Sequence, residues 1–447
     1  MEVVLFNRLG KKSSGNRAKP LKDLSQVSTP ATMLGQNKRQ SLIDLIEKGM
    51  AHNKIDFESY CMSLIHNFIS HCQSLPESTN SYYSNQGGVL DYALNRTEAA
   101  LNLFREYMII DDEPSEEQKL WLYALMSAGM MKGIGKLQID YSVDLFDLNG
   151  QLIKHWNPLL ESISSLAGHY SYKLVGHEDA VYRRRLNLLI ARLLMPAKGF
   201  AKIAVNPEVL KVWMALLNED WESAGTLGAI LIRADAIAIQ RYINQHMMNA
   251  GKRGLRSGKI GSFIDSTAQE ASNPDEMTGV EFINWLMKSL ESGALMINKS
   301  PLFMVPGGML MSSDLFKLFV REHPEFKNWQ AIQNGFLSLG LHGVGIDGAE
   351  QSRFEQPNTQ QMISGVVFEK YAVALPEQVK VHNVHSGKVT ESSAIDVIHK
   401  AQSGSIFAQK PVGIPASAIS QLNAKGQWVQ QSQSVESTAS PGGKVRG

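Results

Sequence analysis

The sequence has little cysteine, which excludes several classes of small, cross-linked protein. Its 447 residues include only two cysteines, Cys61 and Cys72, and no Cys-x-x-Cys pair. A disulfide scaffold or a zinc finger needs more thiols, usually at closer spacing. The cysteine content therefore predicts a chain that folds around an apolar core in a reducing, cytoplasmic compartment.

The sequence also lacks long apolar runs and a strong charge of either sign. No stretch reaches the roughly 18 apolar residues of a membrane-spanning helix. The basic N-terminus has no apolar segment of the kind found in signal peptides. Lys and Arg number 44 against 43 Asp and Glu, a formal net charge of +1. We therefore expect no membrane insertion, and any attraction to nucleic acid must come from local basic segments.

Basic residues are concentrated in two segments that bury little apolar surface. Residues 1–38 are predicted to form a flexible basic arm, since their cations alternate with Gly, Ser and Pro. Residues 251–278 are predicted to form a flexible basic linker. Its first part carries four cations and no acid, and these are the predicted DNA-binding residues: Lys252, Arg253, Arg256 and Lys259. A flexible linker without a partner is the alternative interpretation.

Residues 39–250 carry apolar side chains at helical spacing. The stretch "GGVLDYALNRTEAALNLFREYMI" has an apolar face, and "EEQKLWLYALMSAGMM" is apolar on nearly every side. A third stretch, "AGTLGAILIRADAIAIQRYI", is apolar except for Arg233, Asp235 and its polar end. A buried carboxylate is costly unless a cation or a metal ion neutralises it. Asp235 is therefore a candidate site residue on a predicted helical bundle.

Residues 279–380 predict a small α+β domain. The stretch "GVEFINWLMKSLESG" predicts a helix that ends at Gly293, and "LFMVPGGMLMSS" predicts two short strands around a Pro-Gly-Gly turn. Two further helices and a final strand, "MISGVVFEKYAVAL", follow, an order that fits a winged-helix-like module. Its acids slightly outnumber its cations, so protein docking is as well supported as DNA binding. Residues 381–447 are rich in Ser, Gln and Gly and predict a mostly disordered tail.

The turn "MMKGIGK" has the appearance of a phosphate-binding loop but fails its spacing. A Walker loop requires a Gly five residues before the Gly-Lys pair and a Ser or Thr directly after it. Met130 and Leu137 occupy these two positions. The turn is therefore not predicted to bind nucleotide phosphates in the Walker manner.

Several stretches taken together resemble a known family. The order "GGVLDY", "MMKGIGK", "DLNGQLIKHWNP", "RRRLNLLIARLLMP" and "GTLGAILIRADAIAI" resembles the HD-domain relaxases of conjugative elements, the TraI-like MobH type. The resemblance continues through "GVEFINWLMKSLESGALMINKSPLFMVPGGMLMSSDLFKLF" and covers roughly residues 39–380. It implies a mainly α fold, an HD-like bundle followed by a winged-helix-like domain. It also implies a role in DNA transfer.

The metal ligands that the resemblance implies are replaced in this chain. The family has a Gly-Gly-Leu-Leu-x-His pattern, and this chain has Tyr92 at the position of its histidine. It has His-Asp where this chain has Lys132 and Gly133. Lys136 and Asp235 remain as remnants of the family pattern. Divalent-metal catalysis needs imidazole and carboxylate ligands. The sequence therefore predicts no bound metal, no cofactor and no confident catalytic residue.

These observations favour a relaxase-like protein of a conjugative or integrative element that has lost nicking activity. Such a protein would bind DNA or join the conjugation or secretion machinery. An active relaxase or nuclease with a site rebuilt around Asp235, Lys136 and three histidines is a second hypothesis. Those histidines are His155, His169 and His177. A protein–protein adaptor is a third.

Asp235 needs a neutralising partner if no metal binds beside it. Lys132 occupies the turn from which the family presents metal ligands, so we predict an ion pair between Lys132 and Asp235. Lys136 and Arg233 are the competing cations. The alternative is that Lys132 points to solvent at the C-terminal end of its helix, where cations are favoured. On this prediction, removing both charges should restore most of the stability lost by removing one.

Overall fold

The structure is a computed structural model with a helical N-terminal region and a C-terminal region that also contains a sheet. The described part is mostly helical, with a smaller sheet-containing C-terminal region, as the mainly α fold class predicted. The described residues are 18–78, 82–109, 113–175, 179–254, 274–345, 349–355, 362–402, 408–410, 421–422 and 428–429.

The N-terminal region is a bundle of helices. They are α1 (Pro30–Leu34), α2 (Asn37–Met50), α3 (Lys54–Asp56), α4 (Ser63–Cys72), α5 (Gly88–Met108), α6 (Glu116–Met131), α7 (Lys136–Ile139), α8 (Ala180–Leu194), α9 (Ala197–Ala204), α10 (Pro207–Asn218) and α11 (Trp221–Gly254). A π-helical segment, Phe57–Met62, joins α3 to α4. The helix α11 changes direction at Gly225, whose φ is 55°.

The helix α5 is central to the bundle and packs against α2, α6 and α11. Its first turn requires glycine at Gly88, because a Cβ there would lie 1.8 Å from the carbonyl oxygen of Tyr83. Helix α6 begins with a capping box in which Ser115 and Gln118 each bond the other's backbone N–H. Most residues of both helices are buried. The apolar patterns of the sequence therefore predicted the core of the bundle correctly.

A four-stranded antiparallel sheet packs with the bundle, and the sequence analysis did not predict it. Its strands β1 (Ser25–Gln26), β2 (Tyr141–Phe146), β3 (Leu152–His155) and β4 (His169–Leu174) lie in the order β1-β4-β2-β3. Buried and part-buried residues alternate through most of β2, the period of a strand with one covered face. The region predicted as a helical bundle is thus helical with an added sheet.

The C-terminal region combines helices with a six-stranded sheet. Its helices are α12 (Pro274–Glu291), α13 (Ser313–Glu322), α14 (Trp329–Ser338) and α15 (Ala394–Gln402). Its strands are β5 (Leu302–Val305), β6 (Gly308–Met311), β7 (His342–Gly343), β8 (Ser352–Glu355), β9 (Met362–Phe368), β10 (Gln378–His382), β11 (Val389–Ser393), β12 (Ala408–Lys410), β13 (Gln421–Leu422) and β14 (Trp428–Val429). The sheet has the order β12-β8-β9-β6-β5, with β7 paired to β9, and a separate hairpin joins β10 to β11.

Several predicted strands and helices of this region are confirmed. The hairpin of β5 and β6 turns at Pro306 and Gly307, as the Pro-Gly-Gly motif predicted. Helix α12 ends just before Gly293, whose φ of 74° suits glycine. The predicted final strand is shorter than expected, because β9 ends at Phe368 and a 3₁₀ helix, Tyr371–Ala374, follows.

Three predicted flexible segments contain ordered structure. Residues 18–38 of the predicted arm include β1, which pairs with β4, and α1, which packs against α4. The predicted linker 251–278 includes the end of α11 and the start of α12, and residues 255–273 lie outside the described part. The predicted tail 381–447 includes β11 and α15, and α15 packs on α11. Composition missed these elements because short paired strands and docked helices need few large apolar residues.

Candidate functional site

The candidate site is centred on the carboxylate of Asp235. This residue lies on the apolar face of α11, which packs against α5, and it is only 3% exposed. A buried carboxylate in such surroundings requires hydrogen-bond donors or cations close to its oxygens. The structure supplies four such donors from three separate parts of the chain.

Each carboxylate oxygen of Asp235 receives two of these donors. The Tyr92 hydroxyl donates to Oδ1 at 2.6 Å, and Arg96 Nη1 lies 3.3 Å from the same oxygen. Lys132 Nζ donates to Oδ2 at 2.7 Å, and Lys370 Nζ lies 3.4 Å from it. The predicted ion pair between Lys132 and Asp235 is therefore confirmed. The alternative, in which Lys132 points to solvent, is wrong, because its side chain is only 7% exposed.

The donors are delivered by ordinary features of the local structure. Tyr92 and Arg96 are one helical turn apart on α5, so their side chains share a face. The Arg96 guanidinium also lies over the Tyr92 ring, 4.8 Å from its centroid. Lys132 is the residue after the last turn of α6, where the backbone leaves the helix. Lys370 directly precedes the 3₁₀ helix of the C-terminal region.

Arg96 also fixes the end of α6 in place. Its Nε donates to the carbonyl oxygen of Gly129 at 2.8 Å, and its Nη2 donates to that of Lys132 at 3.1 Å. These carbonyls lie in and directly after the last turn of α6, where no further helical N–H groups can satisfy them. One guanidinium therefore holds both the Asp235 carboxylate and the backbone that presents Lys132.

The ionisation of the cluster follows from burial and charge. Burial opposes ionisation of Asp235, but the attraction of Lys132, Lys370 and Arg96 outweighs it and holds the pKa of Asp235 well below its usual range. Burial and the neighbouring carboxylate raise the pKa of Tyr92 well above normal, so Tyr92 is a neutral donor. Burial disfavours the charged form of Lys370, yet the attraction of Asp235 raises its pKa. Burial lowers the pKa of Lys132, and Asp235 opposes this change.

The turn after α6 has a structural explanation for each of its glycines. Gly133 has a φ of 74°, a left-handed conformation that strains residues with a side chain. A Cβ at Gly135 would lie 2.1 Å from the carbonyl oxygen of Arg183 on α8. The Gly135 N–H donates to Oδ1 of the buried Asn187 at 2.7 Å. The turn after α6 therefore packs closely against α8.

The competing cations bind elsewhere. Lys136 forms an ion pair with Glu77 and donates to the Glu77 carbonyl oxygen at 3.2 Å. Arg233 points to the C-terminal region, where its Nη1 donates to the carbonyl oxygens of Ala372 and Leu375, both at 2.8 Å. Gln240, on the same helix, donates to the carbonyl oxygen of Val373. Asp235 and Arg233 therefore join two different sets of partners although they are two residues apart.

The residues around Asp235 do not fit the metal pair that the resemblance implies. A phenol and three cations surround one carboxylate, and ammonium and guanidinium groups have no lone pair to offer a metal ion. Across the described ranges, no three His, Cys, Asp or Glu side chains lie close enough to hold a metal ion. His155 lies 3.2 Å from Asp144 on the sheet, and His169 lies 3.3 Å from the carbonyl oxygen of Asp147. His177 lies outside the described residues.

A cavity of about 450 Å³ opens beside the cluster, between α11 and the C-terminal region. Lys132, Asp235 and Lys370 line it together with the hairpin turn at Gly307. Most of the remaining lining is apolar, including Trp221 and Ile239. The buried cluster is thus accessible from a space large enough for a small ligand.

Two members of the cluster, Arg96 and Lys370, were not predicted from the sequence. Arg96 could have been found, because it follows Tyr92 by one helical turn on an apolar face. Lys370 could not, because only the tertiary fold brings it next to a residue 135 positions away. The predicted DNA-binding residues remain a prediction. Lys252 and Arg253 lie in the last turn of α11, while Arg256 and Lys259 fall outside the described residues.

Helices in the described part of the chain are all too short or too polar to cross a membrane. This finding agrees with the absence of long apolar runs in the sequence.

Comparisons with known proteins identify the family. The family model described as "TraI_2: Putative helicase" matches residues 25–259, more than half of the chain. A second model, described as "Putative conjugal transfer nickase/helicase TraI C-term", matches residues 277–387. No curated protein matches the chain. The two matches follow each other in the order of the helical and sheet-containing regions, and the chain therefore belongs to the TraI-like family of conjugal transfer proteins.

Proposed function

We propose that this chain is a relaxase-like protein of a conjugative or integrative mobile element that has lost metal-dependent nicking. It binds or processes DNA with other proteins, or serves as a scaffold in the transfer machinery. The single observation that supports the loss of nicking is that both carboxylate oxygens of Asp235 are bound by side chains of the protein: Tyr92, Arg96, Lys132 and Lys370. The family descriptions, a putative helicase and a conjugal transfer nickase/helicase, support DNA as a partner.

Loss of nicking follows from the chemistry of these groups. Cleavage of a phosphodiester by this type of site needs a metal ion to activate the nucleophile and to neutralise the developing charge. Here the only carboxylate of the cluster is already neutralised by ammonium and guanidinium groups. A divalent ion beside them would be repelled by three positive charges. The residues can bind an anion or hold the two regions together, but they cannot present a metal-bound hydroxide.

The finer fold assignment is part of the same proposal. We regard the bundle as HD-like, because Tyr92, Lys132 and Asp235 converge at one point as the metal ligands of that fold are expected to do. We regard the C-terminal region as winged-helix-like on the order of its helices and hairpin. Its slight surplus of acids supports contact with proteins as well as it supports contact with a duplex.

Two alternatives remain from the sequence analysis. An active nuclease would need a rebuilt site, and the positions of His155 and His169 on the sheet, bonded to Asp144 and to the Asp147 carbonyl, give this hypothesis no support. An adaptor without DNA contact would use the C-terminal region alone. The salt dependence of DNA binding separates it from the main proposal.

The first test is metal content together with nicking. We expect the purified full-length chain to hold no stoichiometric Mn, Fe, Ni or Zn, and to leave a supercoiled plasmid carrying the element's transfer origin uncut. Elemental analysis and gel electrophoresis measure both. The Asp235→Asn variant serves as the control. One tightly held ion per chain that this variant loses, or nicking that this variant abolishes, would show that the site is active.

The second test concerns the basic residues at 252–259. If they contact DNA phosphates, changing Lys252, Arg253, Arg256 and Lys259 to Gln together should weaken binding to all sequences equally. The dependence of log Kd on log salt concentration should flatten by up to about 3.6 units for the four residues, because each phosphate contact adds about 0.9 to the slope. The matched control changes four cations of the bundle that lie elsewhere: Arg185, Arg192, Lys198 and Lys211. An unchanged slope in the first variant would place these residues outside the interface.

A further inference from the structure

The cavity beside Asp235 contains more cationic donors than its buried carboxylate needs. Lys132 approaches Oδ2 at 2.7 Å and Arg96 approaches Oδ1 at 3.3 Å, so Asp235 is neutralised without the C-terminal region. Lys370 adds a third cation at 3.4 Å, and its side chain is 31% exposed. Within the described residues its ammonium group has no other hydrogen bond. Two of its three N–H donors are therefore available to a ligand in the cavity.

A buried hydroxyl without a partner also lines the cavity. Ser352, the first residue of β8, is only 1% exposed and is among the lining residues. Its Oγ has no hydrogen-bond partner in the described part of the chain. A buried hydroxyl normally has a partner, because its desolvation is costly. A ligand oxygen in the cavity would provide one.

The walls of the cavity suit a planar, partly apolar body. Trp221 is part-buried in the wall, and Lys132 Nζ lies 5.5 Å from the centroid of its ring. Ile239, Met304 and Val367 supply apolar surface. The space next to the turn at Gly307 is open, since no atom lies within 4 Å of the Cβ position of this residue. A base resting on Trp221 would carry its phosphate close to the two lysines.

Two carboxylates limit the charge that the cavity accepts. Glu219 and Glu369 also line the cavity. Burial lowers the pKa of Lys370 and Asp235 raises it, and the attraction of these two glutamates raises it by smaller amounts. They are more exposed than Asp235, so water screens them. They nevertheless disfavour a polyanion. A monoester fits this balance better than a triphosphate.

We propose that this cavity binds a nucleoside monophosphate, with its phosphate on Lys370 and Lys132 and its base against Trp221. The nucleotide is either free or the 5′-terminal residue of a DNA strand, since both present the same chemistry. The inference rests on the proposed function in one respect: lysines stand where the family's metal ligands are expected.

Isothermal titration calorimetry on the full chain tests this proposal with thymidine 5′-monophosphate, thymidine and thymidine triphosphate. We expect the monophosphate to bind at least about tenfold more tightly than thymidine, since charge-assisted hydrogen bonds give such factors. It should also bind more tightly than the triphosphate. Equal affinity for the monophosphate and thymidine, or no binding of the monophosphate at about 1 mM, would overturn the proposal.

Three variants assign the binding to this cavity. Lys370→Met and Ser352→Ala should each weaken binding of the monophosphate, whereas Lys370→Arg should retain most of it. The matched control is Lys317→Met, because Lys317 also pairs with an aspartate, Asp314 at 2.9 Å, but on the exposed surface of α13. Ser352→Ala keeps the test decisive if Lys370→Met does not fold. Unchanged affinity in Ser352→Ala and in a folded Lys370→Met would place the ligand elsewhere.

The source of the nucleotide is decided by competition. A single-stranded oligonucleotide with a 5′-phosphate should displace the monophosphate if a strand end is the natural ligand, and its 5′-hydroxyl form should not. If neither form competes, the free nucleotide is the ligand. Because these titrations contain no supercoiled plasmid and no added metal, a failure of this inference leaves the nicking result unaffected, and the reverse also holds.

Discussion

Replacing Asp235 with leucine is expected to destabilise the folded chain by about 3–5 kcal/mol, the usual effect of removing one partner from a buried ion pair. The change leaves the buried side chains of Arg96 and Lys132 without their carboxylate. It also leaves the Tyr92 hydroxyl without its acceptor. The free energy of unfolding, measured by urea denaturation, tests this expectation.

The double change Lys132→Met with Asp235→Leu should restore only part of this loss. The sequence alone predicted that removing both charges would restore most of the stability lost by removing one, because it placed one cation beside Asp235. The structure places three cations there. In the double variant Arg96 stays buried without a carboxylate beside it, although it keeps its bonds to the Gly129 and Lys132 carbonyls. For the same reason Lys132→Met alone should cost less than Asp235→Leu, since Arg96 and Lys370 continue to neutralise the carboxylate.

The control is Asp144→Leu, which removes a carboxylate of the exposed pair with His155. Exposed ion pairs contribute little to stability, so the free energy of unfolding of this variant should be close to that of the wild type. If Asp235→Leu is as stable as Asp144→Leu, the ion pairs around Asp235 do not contribute the expected ~3–5 kcal/mol to the free energy of unfolding.

The site could be predicted from the sequence only where local pattern constrains it. Asp235 stands out because it interrupts an apolar helix, and Lys132 stands out because it follows one. Arg96 obeys the same helical period as Tyr92 and could have been included. Lys370 comes from a separate region, and its approach to Asp235 depends on how the C-terminal region packs on α11, which no local pattern encodes.

The fold shows the same division. The long helices α5, α6 and α11 have apolar periods that predict them directly, and the Pro-Gly-Gly turn predicts the hairpin of β5 and β6. The strands β1 to β4 were missed because β1 is two residues long and β3 is exposed throughout. Such strands are held by pairing with a neighbour. Helix α15 was missed because it is stabilised by docking on α11.

Replacing Arg233 with methionine is expected to weaken the attachment of the C-terminal region to α11. Its guanidinium donates to the carbonyl oxygens of Ala372 and Leu375, which lie in and directly after the 3₁₀ helix Tyr371–Ala374. Losing two charge-assisted bonds and leaving two carbonyls without this donor should cost about 2–4 kcal/mol. Burial lowers the pKa of Arg233, so its bonds to these carbonyls also compensate for its own desolvation.

Hydrogen exchange measures this loss locally. In Arg233→Met, amides of residues 371–375 and of α15 should exchange faster, while amides of α5 and α6 should keep their protection. The matched control is Arg192→Met, which removes a guanidinium on α8 that lies over the Phe200 ring, 4.4 Å from its centroid. Arg233→Lys should give an intermediate result, because an ammonium can donate to both carbonyls but lacks the planar geometry of the guanidinium. Unchanged exchange at 371–375 in Arg233→Met would show that the Arg233 bonds do not hold this segment on α11.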